Sequence, residues 1–182
     1  MRGRGTYLMM NVRIASPQDA EGLAVLHVNS WKASYQGIIS DEVLSNLSIE
    51  GRKKKWEWIF ENLHQDETIY VIEMEGMVMG FIDGGKSREA ELDYDAEIYS
   101  FYLLKEIQRR GHGKLLFHKL VEKLRSDHYH SMMVWVLEAN PSLEFYKRMG
   151  GQYIAQKEIT IGGETLIEVA LGWDDLSTIS VE

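Results

Sequence analysis

The stretch AEIYSFYLLKEIQRRGHGKLLFHKLVEKLR, Ala96 to Arg125, decides the fold. Ile98, Phe101, Leu103 and Leu104 form an apolar run, Lys105 to Arg110 a short polar turn, and Gly111 and Gly113 the approach to an amphipathic segment. Leu116, Phe117, Leu120, Val121 and Leu124 recur at helical spacing between Lys119, Glu122, Lys123 and Arg125, so the order is strand, loop, helix. The first turn of a helix carries unpaired N–H groups and the positive end of its dipole, which attract anions and phosphates above all. Gly111 and Gly113 let the backbone approach a bulky oxyanion, and Arg109, Arg110 and Lys114 add positive charge beside it. On its own such a loop is equally a solvated turn. Two familiar phosphate loops are excluded: a P-loop needs Ser or Thr after its lysine, where Leu115 follows Lys114, and the dinucleotide fingerprint needs a third glycine.

Working outward, Met132 to Leu137 reads as a buried strand. Asn140 and Pro141 then stand as N-cap and first residue of a helix that carries Leu143, Phe145, Tyr146 and Met149 and stops at Gly150. Upstream, Asn11 to Ala15 reads as a first strand, and Ser16 with Pro17 starts a helix bearing Leu23, Ala24, Leu26 and Trp31. A helical turn over Asp41 to Leu47 and a helix holding Trp56, Ile59 and Phe60 follow. Thr68 to Met74 and Met77 to Asp83 form a hairpin about Glu75 and Gly76, and Gln152 to Ile161 with Glu164 to Gly172 form a second about Gly162 and Gly163. One mixed sheet with helices on both faces is the α/β architecture these pieces support.

The chain of 182 residues, 45 % apolar and 26 % charged, fits one soluble domain with a real core. Residues 1–10 read as a flexible extension, 11–174 as the domain and 175–182 as a tail. No apolar run approaches the ~20 residues of a membrane span, and MRGRGTYLMM lacks the apolar centre of a secretory signal. A cytoplasmic protein is expected. There is no cysteine, which excludes disulfides, a thiolate nucleophile and thiolate metal sites. A net charge of −8 argues against a nucleic-acid surface and agrees with a cationic substrate. His128 and His130 have no carboxylate and histidine cluster to complete a metal site, so no metal is expected.

QRRGHG, Gln108 to Gly113, has the form Q/R-x-x-G-x-G/A. With the strand before it, the helix after it, the second strand, Asn140 and LEFYKRMGG, it resembles the GNAT superfamily of N-acetyltransferases. The resemblance is dense from Glu97 to Gly151. It implies a single domain with a central mixed, mostly antiparallel sheet, an acetyl-CoA donor, and transfer to a primary amine of a small molecule or peptide by direct attack. A GNAT-fold module that binds an acyl-CoA without turnover is the alternative. The resemblance further implies a splayed central strand, whose Leu103 N–H meets the thioester oxygen while the backbone of Phe101, Tyr102, Leu103 and Leu104 pairs with the pantetheine arm. The loop Gln108, Arg109, Arg110, Gly111, His112, Gly113 and Lys114 would hold the pyrophosphate.

Each candidate side chain keeps two readings. Glu97 is the general base or one acid of an alternating row with Glu89, Glu91, Asp93 and Asp95; Asp95 is a substitute base and acceptor contact. Tyr146 is the acid that protonates the leaving thiolate or a core tyrosine. Asn140 binds the pantetheine amide or caps its helix. Trp31 and Tyr35 wall the acceptor pocket or fill a packing seam. The row of acids is a rim that draws in a cationic amine or a solvated loop. Gly151 stands where the family commonly has an aromatic, a gap for Tyr153 or a partner to fill. A homodimer is plausible by analogy.

Overall fold

The computed structural model describes residues 10–181, so the extension expected over residues 1–10 lies outside them except for Met10. Seven strands form one sheet: β1 (Met10–Ile14), β2 (Glu67–Met74), β3 (Met77–Lys86), β4 (Ala96–Leu103), β5 (Met132–Leu137), β6 (Gln152–Ile161) and β7 (Glu164–Trp173). The helices are α1 (Ala20–Tyr35), α2 (Asp41–Ser45), α3 (Ile49–Glu61), α4 (His112–Ser126) and α5 (Ser142–Arg148). Across the sheet the order is β1-β2-β3-β4-β5-β7-β6. Neighbours are antiparallel except β4 and β5, whose parallel pairing requires the crossover that α4 supplies.

The period of two along each strand sorts the core into layers. Ile72, Ile82, Ala96, Ile98, Met132 and Val134 face α4, which buries Leu116, Phe117, Leu120, Val121 and Leu124 against them. Ile69, Val71 and Phe81 face the other way, under Leu23, Ala24 and Leu26 of α1 and Trp56 of α3. A third cluster forms where the β6–β7 hairpin leans over α2, joining Ile159, Ile161 and Leu166 to Tyr35, Ile39, Leu44 and Leu137. Glu75 and Gly76, at φ 50 and 80, make the tight turn between β2 and β3.

Two irregularities in β4 shape the middle of the sheet. Its register with β3 slips between Asp83 and Gly84, which pair with Ser100 and Ile98, so Tyr99 is the extra residue of a bulge. Its pairing with β5 stops at Ile98 and Val134 although both strands run on. Beyond that point they part, leaving a central gap.

Three expectations change. Residues 87–95 are loop and turn, so the alternating acids do not share one side of an extended strand. Glu97 is buried against Arg88, Glu89 meets Lys157 at 3.5 Å, and Asp95 accepts from the backbone N–H of His130 at 2.8 Å. The space beside Gly150 and Gly151 is filled by Trp173 from β7; a Cβ on Gly151 would stand 2.9 Å from its ring. The Trp173 indole donates to the Met149 carbonyl at 2.9 Å, while Tyr153 is 59 % exposed. The segment after β7, read as a tail, packs down: Leu176 is fully buried, and Arg125 donates to the Leu176 and Ile179 carbonyls.

At the sheet edge, Arg13 bonds Asp19 at the start of α1 and Glu73 on β2. The Arg13 guanidinium, followed by the opposing effect of burial and then the Ser16 backbone N–H, leaves the Asp19 carboxyl below its usual range. A carboxyl lowered by folding stabilises above its unfolded pKa and loses that contribution as pH falls through the folded one. Asp19→Asn is therefore expected to lower stability at pH 7 by about 1–2 kcal/mol, with the difference closing below about pH 4; urea denaturation across that range measures it. Gly84→Ala would put a Cβ 2.8 Å from both the Glu97 carbonyl and Leu120. A loss of about 2–3 kcal/mol in the same assay is expected from that overpacking.

Candidate active site

The gap between β4 and β5 determines where a ligand can lie. Leu104 donates its N–H to Met79 on β3 at 2.9 Å, so by alternation the N–H groups of Phe101 and Leu103 point away from β3 and into the gap. The amide of Gln108 donates to the Leu103 carbonyl at 2.9 Å. Gln108 thus ties the loop to the end of β4, and its bond leaves the inward N–H groups to other acceptors.

The loop then turns into α4 through two residues of positive φ, Arg109 at 59 and Gly111 at 85. Gly111 is the N-cap, and among the described residues no side chain caps the first turn. The N–H groups of His112, Gly113 and Lys114 precede the first helical bond, Leu115 to Gly111, and are free to meet an anion. The two glycines differ in purpose. Gly111 has open space and needs its backbone angle, whereas a Cβ on Gly113 would come 3.3 Å from the Phe145 ring. Gly113 lets α4 close on α5.

Phe145 and Tyr146 stand on α5, and Phe101 packs against both, with centroids 5.4 and 6.3 Å away. Tyr146 is 5 % exposed, and burial, with the Tyr35 phenol as the lesser cause, raises its pKa well above that of a free phenol. It stays protonated at neutral pH. Asn140 joins this wall to α1: its Oδ1 accepts from the Ser142 N–H at 2.9 Å, capping α5, and its Nδ2 donates to the Tyr35 hydroxyl at 3.2 Å. Trp31 meets the Tyr35 ring edge-on at 4.7 Å. Tyr102 lies against the Tyr35 phenol and is likewise raised, chiefly by burial. Tyr35, Tyr102, Asn140, Trp31 and Tyr146 therefore converge, although they come from α1, β4, α5 and the turn before α5.

Glu97 lies apart from that cluster, in the paired part of β4 opposite Gly85 and Met133. Its Oε1 accepts from Arg88 Nη2 at 2.9 Å, and its Oε2 from the Arg88 N–H and Nε at 3.0 and 3.2 Å. Asp95 bonds His130 and Ser131 at the foot of β5, not the Trp31 and Tyr35 wall. Sequence reasoning missed three groups here. Arg88 lay among acids with nothing to mark it as the partner of Glu97. His27 sits among Trp31, Trp56, Phe81 and Tyr102, where burial first, then Arg52 and Lys55, lower its pKa to about 3 and keep it neutral. Asp83, an acid inside the apolar run of β3, carried a signal: such a residue is buried and needs a partner.

The family described as Acetyltransferase (GNAT) matches residues 32–151. YuaI, an uncharacterized N-acetyltransferase of Bacillus subtilis (strain 168), is 37 % identical over 172 residues, 94 % of this chain and 96 % of the relative. PaiA N-acetyltransferase from Thermoplasma acidophilum, solved in complex with coenzyme A, superposes with a TM-score of 0.66 at 22 % identity, covering 88 % of this chain and 98 % of that one. For yncA from Salmonella typhimurium, solved with its cofactor acetyl-CoA, the TM-score is 0.67 at 21 % identity, covering 91 % and 94 %. At these identities the structural likeness is one of fold.

The Asn140 and Tyr35 link sets a measurable coupling. Tyr35→Phe leaves one donor of Asn140 unpaired and is expected to cost about 1 kcal/mol. Asn140→Ala removes the cap as well and is expected to cost about 2–3 kcal/mol. In chemical denaturation the double variant should lose less than the sum of the two.

Proposed function

The chain belongs to the acetyltransferase (GNAT) family, and from that premise we propose that it is an N-acetyltransferase that moves an acetyl group from acetyl-CoA to a primary amine by direct attack. The observation that carries the proposal is the gap between β4 and β5, with the inward N–H groups of Phe101 and Leu103 at one end and the uncapped start of α4 at the other. A long, narrow donor with an anionic end fits that shape: its arm can lie along β4 and its phosphates against His112, Gly113 and Lys114. Acetyl-CoA, when bound, supplies an activated thioester.

Residue by residue, Leu103 or Phe101 offers its N–H to the thioester oxygen as negative charge gathers there. Such a donor is worth on the order of 3 kcal/mol. Gln108 orients this end of β4 through the Leu103 carbonyl, and Arg109, Arg110 and Lys114 add charge near the phosphates. Tyr146, protonated and seated beside Phe101, gives its proton to the departing thiolate. Asn140 steadies Tyr35 and has its carbonyl oxygen on α5. Trp31 and Tyr35 wall the acceptor side; Asp95, held by the His130 backbone and the Ser131 side chain at the foot of β5, stands away from it. The amine arrives as an ammonium and must lose a proton before it attacks; Glu97 takes it, through water, on a lone pair that Arg88 does not hold.

The closure of Arg88 over Glu97 also favours a second reading, a domain that binds an acyl-CoA without turning it over. Free CoA release from acetyl-CoA across a panel of amines, run with thermal shift, separates the two. Donor at 100 times its dissociation constant should stabilise the fold by about 2.7 kcal/mol. Under the enzyme reading an amine yields CoA, and Glu97→Gln lowers kcat by about 10²-fold or more with donor binding unchanged. Tyr146→Phe should also lower kcat, by on the order of 10²-fold. A raised melting point with no CoA from any amine favours the binding domain, and no shift at all sinks both.

A further inference from the structure

On the face of the sheet covered by α1 and α3, a cavity of about 450 Å³ opens beside the start of β4. Asp83 and Glu67 lie in its lining, with Trp58 and Tyr99 among the walls. Asp83 is 5 % exposed, and its Oδ1 has no hydrogen-bond partner among the described residues. A buried acceptor left in that state is unfavourable, and native structures rarely keep one without a donor to meet it. Glu67 lies close enough that its negative charge adds to the cost of ionising Asp83. The nearby guanidinium of Arg88 is committed to Glu97. Beside this pair Trp58, another lining residue, is 62 % exposed.

We propose that this cavity is an ammonium-binding subsite, in which Asp83 and Glu67 accept the N–H donors of an alkylammonium while Trp58 and Tyr99 cover its carbon chain. Arg88 also lines the cavity, its guanidinium over the Tyr99 ring, and an ammonium adds to that charge several donors that Asp83 and Glu67 can accept. Burial first, and Glu67 second, raise the Asp83 pKa well above its usual range, and a bound cation would reverse that tendency. Lys55, His64 and Lys86 also line the cavity, but all three are exposed, so their repulsion is screened by solvent in a way the charge on buried Asp83 is not.

The subsite adjoins the gap. Asp83 pairs with Ser100, and Tyr99, which lines the cavity, is the first residue of β4 beyond its last pairing with β5. The link to an acceptor rests on the acetyltransferase reading; the binding of an ammonium does not. The bound group is either the reacting amine before it is deprotonated or a second ammonium on the same acceptor.

Calorimetric titration of the full chain at low salt, without any acyl donor, tests the subsite with n-butylamine, 1,4-diaminobutane and n-butanol as probes. Saturable binding of the amines and not of the alcohol, weakened tenfold or more by Asp83→Asn and in the same direction by Glu67→Gln, is the expected result. Equal binding by the wild type and both variants overturns the proposal, as does binding of the alcohol as tight as that of the amines or binding of no amine at all. Should Asp83→Asn not fold, Glu67→Gln carries the same comparison. In steady-state acetylation, a raised KM for the diamine alone identifies a second ammonium, and a raised KM for both amines identifies the reacting one. Asp83-dependent binding without acetylation of any amine would retain the subsite and sink the enzyme reading.

Discussion

The structure turns on one interrupted ladder. β4 and β5 are held side by side only as far as Ile98 and Val134, and the inward N–H groups of β4, the loop into α4 and Tyr146 gather beyond that point. A continuous sheet satisfies its own backbone; one that parts in the middle must satisfy those groups in another way. Here part of the demand is met from within, by the Gln108 amide on the Leu103 carbonyl, and part is left toward the gap. The bulge at Tyr99 bends β4 while its pairing with β3 continues to Leu103, so its core residues stay packed as its other edge is released. The cost of the opening is spread over the clusters on either side.

The elements on each side of the gap are bound to one another by side chains rather than by the sheet. Phe101, Phe145, Tyr146, Phe117 and Trp173 form an aromatic chain from β4 through α5 and α4 to β7. Asn140 then hands the wall over to Tyr35 on α1. This fixes α5 twice, at its cap and along its face, though α5 spans only Ser142–Arg148. So short a helix has little stability of its own, and its position is a product of tertiary contact.

The sequence made most of this framework legible because the relevant signals are local. The helical period of Leu116, Phe117, Leu120, Val121 and Leu124, the caps at Ser16 and Asn140, and the glycine turns each follow from neighbouring residues, and each element lies within a few residues of its expected bounds. What could not be read depends on partners distant in the chain. Period alone read the acids from Glu89 to Glu97 as one alternating row, but Lys157 holds Glu89, the His130 backbone holds Asp95 and Arg88 holds Glu97, and the segment between runs in turns. The filler for the Gly151 gap was sought nearby, at Tyr153, and comes from Trp173 two strands later. Of the candidate site, the loop and the α5 residues were visible as motifs. The convergence of Tyr35, Tyr102 and Asn140, and the enclosure of Glu97, are contacts between separate elements and leave no mark on a single stretch.

The place of Trp173 bears on how the protein is made. β5 pairs along its free edge with β7, and α5 leans on an indole carried by the last residue of that strand. A ribosome that has delivered everything through α5 has therefore produced a half-built sheet, with β5 open along one side and the turn at Gly150 and Gly151 uncovered. The polypeptide must hold that exposed edge until β7 emerges from the exit tunnel, and only then does the wall around Tyr146 close. A chain cut before Trp173 would lose its pocket before it lost most of its sheet, which makes the end of β7 the quality checkpoint for this sheet.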